Sequence, residues 1–266
     1  RLIITGVNRH EWSAKTGRVI GIKEMISDIQ CMTRNNINSV RTCHYPDQIP
    51  WYYMCDEAGI YVMAETNLES HGSWQKLGAI EPSWNVPGSV LQWREAVVDR
   101  ARNNFETFKN HTSILFWSLG NESYAGDDIE AMNKFFKEKK DGRLVHYEGS
   151  YYTREYEDTI SDVESRMYAK PEEVEKYLIN SAKKPYLLCE FMHDMGNSIG
   201  GLGSYMKLID KYEMYQGGYI WDFIDQALLV KDEVTGREVL RYGGDFDDRP
   251  SDYEFSGNGI VFADRR

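Results

Sequence analysis

Eight short apolar runs recur along the chain: LIITGVN, SVRTCHY, IYVMAETN, ILFWSLGN, LVHYEGS, SRMYA, PYLLCEF and GGYIWDFI. Between most of them lie stretches whose apolar residues recur at helical spacing: IKEMISDIQCMTRNN, IPWYYMCDEAG, VLQWREAVVDRARNNFETFKN, DDIEAMNKFFKEKK, PEEVEKYLINS and GLGSYMKLIDKY. Runs this short and this continuously apolar read as strands buried on both faces, which implies parallel pairing through crossover helices. Eight such units close into a (β/α)8 barrel, the TIM-barrel architecture of the α/β class. A doubly wound open sheet is the competing arrangement, and it predicts no pairing between the first and last strands.

Pro171 falls where a helix should start, and Gly59 and Gly142 fall just past helix ends. The pattern is weakest between the fifth and sixth runs, where YYTREYEDTISDVE is short and polar and predicts an irregular connection without a helix. After the eighth run, KDEVTGREVLRYGGDFDDRPSDYEF reads as a hairpin turning at VTGRE, then a long polar loop. The 266 residues are expected to form a single domain, 1–266, with a barrel core over 1–230 and a C-terminal extension over 231–266. The chain opens without Met and inside a strand-like run, so it is expected to be a piece of a longer multidomain protein.

A net charge of -11 opposes both nucleic acid and anionic lipid surfaces, so neither is an expected partner. No uninterrupted apolar stretch approaches the ~20 residues of a membrane span. Cys31, Cys43, Cys55 and Cys189 show no CxxC spacing and read as free thiols, mostly buried. Gly217-Gly218 and Gly243-Gly244 lack the following helix of a phosphate cradle.

In a barrel of this kind, loops after the strands' carboxyl ends build the active site. His10 and Glu11 follow the first run, Arg41 and His44 the second, Glu65, Glu69 and His71 the third, Asn121 and Glu122 the fourth. Glu148 follows the fifth, Tyr168 the sixth, Glu190 and His193 the seventh, and Trp221, Asp222 and Asp225 the eighth. Four of the six histidines thus gather at one rim, whereas His111 precedes the fourth strand and His146 lies within the fifth. Glu122 and Glu190 end strands on roughly opposite sides of the mouth, as glycosidic bond cleavage requires of its acid and its nucleophile or base. Arg41 and the histidines would push the two carboxyl groups apart in acidity. Taken singly, Glu122 reads equally well as the cap of a helix beginning near Gly126, and Glu190 as the partner of a buried cation.

Glu69-Ser70-His71 offers an oxygen and an imidazole ligand on one side of an extended segment, a sparse set that suits Mg²⁺ better than Zn²⁺. An ordinary Glu-His hydrogen bond explains the pair as well. Trp221 offers an indole face to a sugar or to the core. Two rival readings remain at this level. One is a metal-dependent hydrolase or lyase with His10, Glu69 and His71 as ligands and Glu190 as base, and the other is a non-catalytic sugar-binding barrel.

GVNRHE, VRTCHYP, NLESHG, SLGNES, MYA, CEFMHDMGNS, GGYIWDFIDQ, YGGDF and NGIVFADR follow one another as in bacterial β-galactosidases of the LacZ type, in glycoside hydrolase family two. The sequence resembles that family over nearly its whole length. The resemblance implies a retaining β-galactosidase that hydrolyses terminal non-reducing β-D-galactose residues of lactose-like substrates through a covalent galactosyl intermediate. It makes Glu122 the general acid/base, Glu190 the nucleophile, and Glu69, His71 and Glu122 the ligands of Mg²⁺. It gives His10 and His44 transition-state support, Tyr168 and His193 acid or hydroxyl contacts, Asn121 the sugar hydroxyls and Trp221 the galactose platform. Arg41 joins the substrate-binding set, and the Phe255 carbonyl with Asn258 would hold Na⁺.

Ala64 stands where the family usually has Asp before the third-strand Glu, and Ser251 stands where a ligand of a second, peripheral Mg²⁺ would be, so that second site is not expected. Ser123, where related β-glucuronidases typically carry Pro, favours the galactosidase. Full-length relatives wrap the barrel in β-sandwich domains that complete the pocket, so the isolated piece is expected to be weakly active or inactive. The same resemblance implies a homo-oligomer in the cytoplasm.

Overall fold

The computed structural model describes residues 1–71, 86–180, 182–196, 198–251 and 253–266. Gly72, Ser181, Asn197 and Asp252, which fall in stretches quoted above, lie outside the described residues. The strands are β1 (Ile4–Arg9), β2 (Ser39–Thr42), β3 (Tyr61–Glu65), β4 (Ile114–Ser118), β5 (Leu144–His146), β6 (Glu164–Met167), β7 (Tyr186–Phe191) and β8 (Tyr215–Ile220). Six α-helices are described: α1 (Ile22–Arg34), α2 (Ile49–Ala58), α3 (Leu91–Phe108), α4 (Asp127–Lys139), α5 (Pro171–Ile179) and α6 (Leu202–Lys211). Each expected apolar run is a strand.

The strands form one parallel sheet in the order β5-β4-β3-β2-β1-β8-β7-β6. β1 pairs with β8, which excludes the doubly wound alternative. The ladder stops between β5 and β6, where side chains take over. His146 shares hydrogen bonds with Ser118 Oγ at 2.9 Å and Ser165 Oγ at 2.8 Å, carrying the ring of contacts from β4 through β5 to β6. Between β5 and β6 the described chain makes only two 3-10 turns, Gly149–Tyr151 and Arg154–Tyr156, so the polar connection is irregular as expected.

Helix ends follow the local chemistry. Pro171 is the first residue of α5, where its missing N–H costs nothing. The Glu173 carboxylate accepts the Lys170 N–H at 2.8 Å, and Glu24 likewise accepts that of Gly21 at 3.1 Å before α1. Gly59 ends α2 in the left-handed conformation. At the end of α4 that role belongs to Lys140, with φ of 53°, and not to Gly142 two residues later. Gly142 follows the helix end as expected, at φ of 84°.

Alternation along each strand divides the barrel into layers. Val62, Ala64, Ile114 and Trp117 pack outward on the helices with Phe105, Ile129, Met132 and Phe136. Phe136 lies stacked on Trp117 at 5.4 Å, and truncating such a ring to Ala costs about 3–5 kcal/mol. Inward, Ile4, Met63, Phe116, Leu187 and Tyr219 form an apolar plug toward the strands' amino ends. One step further along the strands the buried interior turns polar, with Asn8, Arg41, Glu65, Ser118, His146 and Glu190. This polar layer on a packed floor positions everything that follows.

Past β8, β9 (Leu228–Lys231) and β10 (Glu238–Arg241) make the expected hairpin, and β9 already begins at Leu228. The remaining chain returns to the barrel: Val261 bridges Ile224, and Arg265 Nε donates to Asp28 at 2.8 Å. No described helix is long and apolar enough to cross a membrane.

Candidate active site

Glu122 reaches the mouth because the chain turns sharply after β4. Gly120 sits at φ of +147°, and a Cβ there would lie 2.6 Å from the Leu68 carbonyl oxygen. Only glycine allows that approach. Asn121 then donates its N–H to the same Leu68 carbonyl at 2.9 Å, and Glu122 adopts φ of 38°, uncommon outside glycine. The Glu122 N–H is fixed by the Glu148 carboxylate at 2.7 Å.

Arg41, fully buried on β2, ties the polar layer together. Its Nη1 donates to Glu190 Oε1 at 2.7 Å and to Asn8 Oδ1 at 2.9 Å. Its Nε and Nη2 grip the two oxygens of Glu65 at 2.7 and 3.1 Å, and Nη2 also reaches Asn121 Oδ1 at 2.8 Å. A planar, five-donor group is the side chain able to serve so many acceptors at once.

The two candidate catalytic carboxylates sit in unlike surroundings. Glu190 is ion-paired with Arg41 and accepts the Tyr168 hydroxyl on Oε2 at 2.7 Å. Burial and the Glu190 charge push the Tyr168 hydroxyl far up, so it remains a donor. Burial also lifts the Glu122 carboxyl above its ordinary range, and the nearby Glu190 charge adds to the rise against the pull of His71 and His44. Glu122 is thereby disposed to hold a proton while Glu190 is held as an acceptor of donors. Glu148 is lifted to about 8 by burial despite Arg41, and its buried Oε2 has no hydrogen-bond partner among the described residues.

Aromatic rings line the opposite wall. His44 stacks on Trp221 at 5.2 Å and 5° and bonds through Nδ1 to Glu65 at 2.7 Å, while His10 stands edge-on to both rings at 5.6 Å. One indole face is therefore taken by His44, and a sugar would meet the other. Burial lowers His10 well below an ordinary histidine, and its Nδ1 contacts the Tyr45 hydroxyl at 3.2 Å. His193 packs between Tyr168 at 5.6 Å and Phe255 at 5.7 Å, and burial lowers it too.

Glu69, His71 and Glu122 each offer a ligand atom within 4.8 Å of the others, two carboxylates and one imidazole at a partly exposed site. His71 Nε2 touches Glu122 Oε2 directly, and Asn121 Nδ2 donates to Glu69 at 2.9 Å. That donor set leaves room for water and fits Mg²⁺. Asn258 Oδ1 and Asp222 Oδ1 are buried oxygens without a hydrogen-bond donor among the described residues, and the Asn258 carbonyl accepts the Asp222 N–H at 3.0 Å. A buried amide oxygen without a donor among the described residues fits a monovalent cation, and burial pushes the Asp222 carboxyl well up, so the amide oxygen and not a charged acid would be the ligand here.

Alternative readings of single residues resolve in different ways. Glu122 does not cap α4: the Asp127 N–H goes to Ser89 Oγ at 3.1 Å and the Asp128 N–H to the Gly88 carbonyl at 3.0 Å. Glu190 does pair with a buried cation, and that pairing belongs to the site. The rival metal cluster is not assembled, since among the described residues His10 groups with Cys43 and His44 and not with Glu69 and His71. Sequence reasoning passed over Asn8, Ser118 and Tyr45. A polar residue inside an apolar run was the available signal for the first two, while Tyr45 carried none.

Two carboxylates of contrasting environment at the mouth of a nearly closed parallel barrel are the equipment of a barrel glycoside hydrolase. Residues 1–266 match the glycosyl hydrolases family 2 TIM barrel domain, and the chain belongs to that family. It is 71% identical over 265 residues to the β-galactosidase large subunit of Lactobacillus helveticus, a match covering 100% of this chain and 42% of that relative. Against the β-galactosidase of Halalkalibacterium halodurans it is 58% identical over 266 residues, covering 100% of this chain and 26% of the relative. The chain thus spans well under half the length of these relatives. Among solved structures, Lactobacillus rhamnosus β-glucuronidase superposes with a TM-score of 0.70 at 20% identity, covering 100% of this chain and 47% of that one. That likeness speaks for the fold.

Proposed function

We propose that this chain is the catalytic domain of a retaining β-galactosidase acting on terminal β-D-galactose residues of lactose-like substrates. The unlike settings of Glu122 and Glu190 carry the reading. Glu190, oriented by Arg41 and Tyr168, attacks the anomeric carbon, while the proton on Glu122 passes to the departing glycosidic oxygen. A water then replaces the aglycone, Glu122 takes its proton, and the galactosyl–Glu190 ester is cleaved with net retention. Identities of 52–71% to proteins named β-galactosidase, together with Ser123 after the acid, favour galactose over a uronic acid.

Asn121, His193, Trp221 and Asn258 form the sugar-contacting set, with His10 and His44 beside the reacting carbon; Arg41, expected in that set, is fully buried with its donors taken by Glu190, Asn8, Glu65 and Asn121, and positions Glu190 without touching the sugar. Glu69, His71 and Glu122 would hold Mg²⁺, whose positive charge tunes the acidity of Glu122; Asn258 and the Phe255 carbonyl would hold Na⁺. The family resemblance implies that β-sandwich domains outside this chain complete the pocket, so this piece alone is weakly active or inactive. The complete protein is read as a cytoplasmic homo-oligomer.

The test uses the complete protein. Glu190→Ala should lose turnover of a nitrophenyl β-galactoside, and azide should restore it with α-galactosyl azide as product. Glu122→Ala with azide should give the β-anomer. The same anomer from both variants, or no azide product from either, overturns the assignment.

A further inference from the structure

We infer that His10, Cys43 and His44 form a binding site for a thiophilic divalent cation of the zinc type, inside the sugar pocket and separate from the Glu69, His71 and Glu122 group. Each of the three residues offers a ligand atom, and all three atoms lie within 4.8 Å of one another. The hydrogen bonding leaves the right atoms free. Glu65 occupies Nδ1 of His44 at 2.7 Å and the Tyr45 hydroxyl occupies Nδ1 of His10 at 3.2 Å, so each ring presents Nε2. A carboxylate behind the imidazole, as Glu65 stands behind His44, is the arrangement that orients metal-binding histidines.

Charge and ligand chemistry agree. His10 is held neutral by burial, which keeps its lone pair available. The Cys43 thiol is buried and protonated, and on binding it gives its proton to solvent and becomes the thiolate ligand. Arg41 opposes a cation here, but Asp222, Glu65 and Glu190 all act on Cys43 with the opposite sign, and Glu190 Oε1 lies 3.9 Å from His44 Nε2. One sulfur and two imidazole nitrogens select zinc or copper and reject Mg²⁺, which takes oxygen ligands. Three protein ligands leave a fourth tetrahedral position open.

An ion held there immobilises both rings that pack on Trp221, so zinc acts as an inhibitor; this consequence, unlike the binding itself, rests on the proposed galactosidase function. The experiment takes the complete protein at saturating Mg²⁺ and titrates it with Zn²⁺, and in parallel with Co²⁺ as a spectroscopic probe. Cobalt should produce a thiolate-to-metal charge-transfer band in the wild type that is absent in Cys43→Ser and Cys43→Ala. Zinc should abolish turnover reversibly, and the half-inhibiting concentration should rise at least about tenfold in both variants, whose turnover without zinc stays that of the wild type.

Absence of the band from the wild type, or its persistence in either variant, overturns the site. Equal zinc sensitivity of wild type and variants overturns the inhibition and assigns it to the Glu69, His71 and Glu122 group. Should the protein lack galactosidase activity altogether, the cobalt band still decides whether the site exists.

Discussion

Arg41 holds Glu190 through a 2.7 Å bond from Nη1, with the guanidinium wholly buried, and the same group holds Glu65 at 2.7 Å and Asn121 at 2.8 Å. One side chain thus fixes the candidate nucleophile on β7, a buried acid on β3 and the residue that precedes the candidate acid.

Removing the fork should therefore separate charge from geometry. Arg41→Ala leaves buried carboxylates unpaired and should cost about 3–5 kcal/mol of stability. Arg41→Lys restores the charge but not the planar donors, so it should recover much of the urea midpoint and little of kcat. Full recovery of kcat by Lys would show that only the charge matters.

Glu148 acts on the candidate acid through the backbone, by accepting the Glu122 N–H at 2.7 Å where φ is 38°. Glu148→Ala removes the acceptor and lets the turn relax, and a misplacement near 1 Å costs about 10²-fold in rate. Glu148→Gln keeps an acceptor oxygen and should preserve most of kcat. Equal kcat and KM in Ala, Gln and wild type would remove Glu148 from the positioning role.

The barrel was legible because each strand is a short apolar run, and closure followed from counting them. Glu122 and Glu190 were legible for a related reason, since a carboxylate directly after or within such a run needs a purpose. Arg41 showed itself as a cation inside SVRTCHY that would act on the rim carboxyl groups, whereas its partner Asn8 did not show itself. Asn8, Ser118, His146 and Ser165 lie on four different strands, and only closure of the barrel brings their inward faces into one layer. The grouping of His10 and Cys43 was hidden for the same reason: a buried thiol reads as core until a histidine from the neighbouring strand's end is placed beside it.

Chelation distinguishes the roles of the oxygen-rich group and the carboxylate pair. Stripping divalent ions from the complete protein should lower kcat while leaving measurable turnover, because in the proposed mechanism bond formation to Glu190 uses no metal. Glu69→Gln should reproduce that loss and make the remaining activity insensitive to chelator. Complete loss of turnover on chelation, restored by Mg²⁺, would instead make the ion an obligatory participant.

His146 offers a test of how the seam between β5 and β6 is held. Burial, with the Arg41 charge adding to it, drops this imidazole from 6.5 to about 3, while its two nitrogens meet Ser118 and Ser165. The unfolded chain therefore binds a proton below about pH 6.5 that the folded chain refuses until about pH 3. Its contribution to stability is complete above pH 6.5 and is lost progressively as the pH falls through that window, by at most about 1.4 kcal/mol per pH unit. Glutamine can satisfy both serines and does not titrate. His146→Gln should accordingly be less stable than wild type at pH 7, and the difference should shrink by about 2 kcal/mol at pH 5 in urea titrations followed by tryptophan fluorescence. A difference that stays constant between the two pH values would mean that the imidazole is not held neutral at the seam.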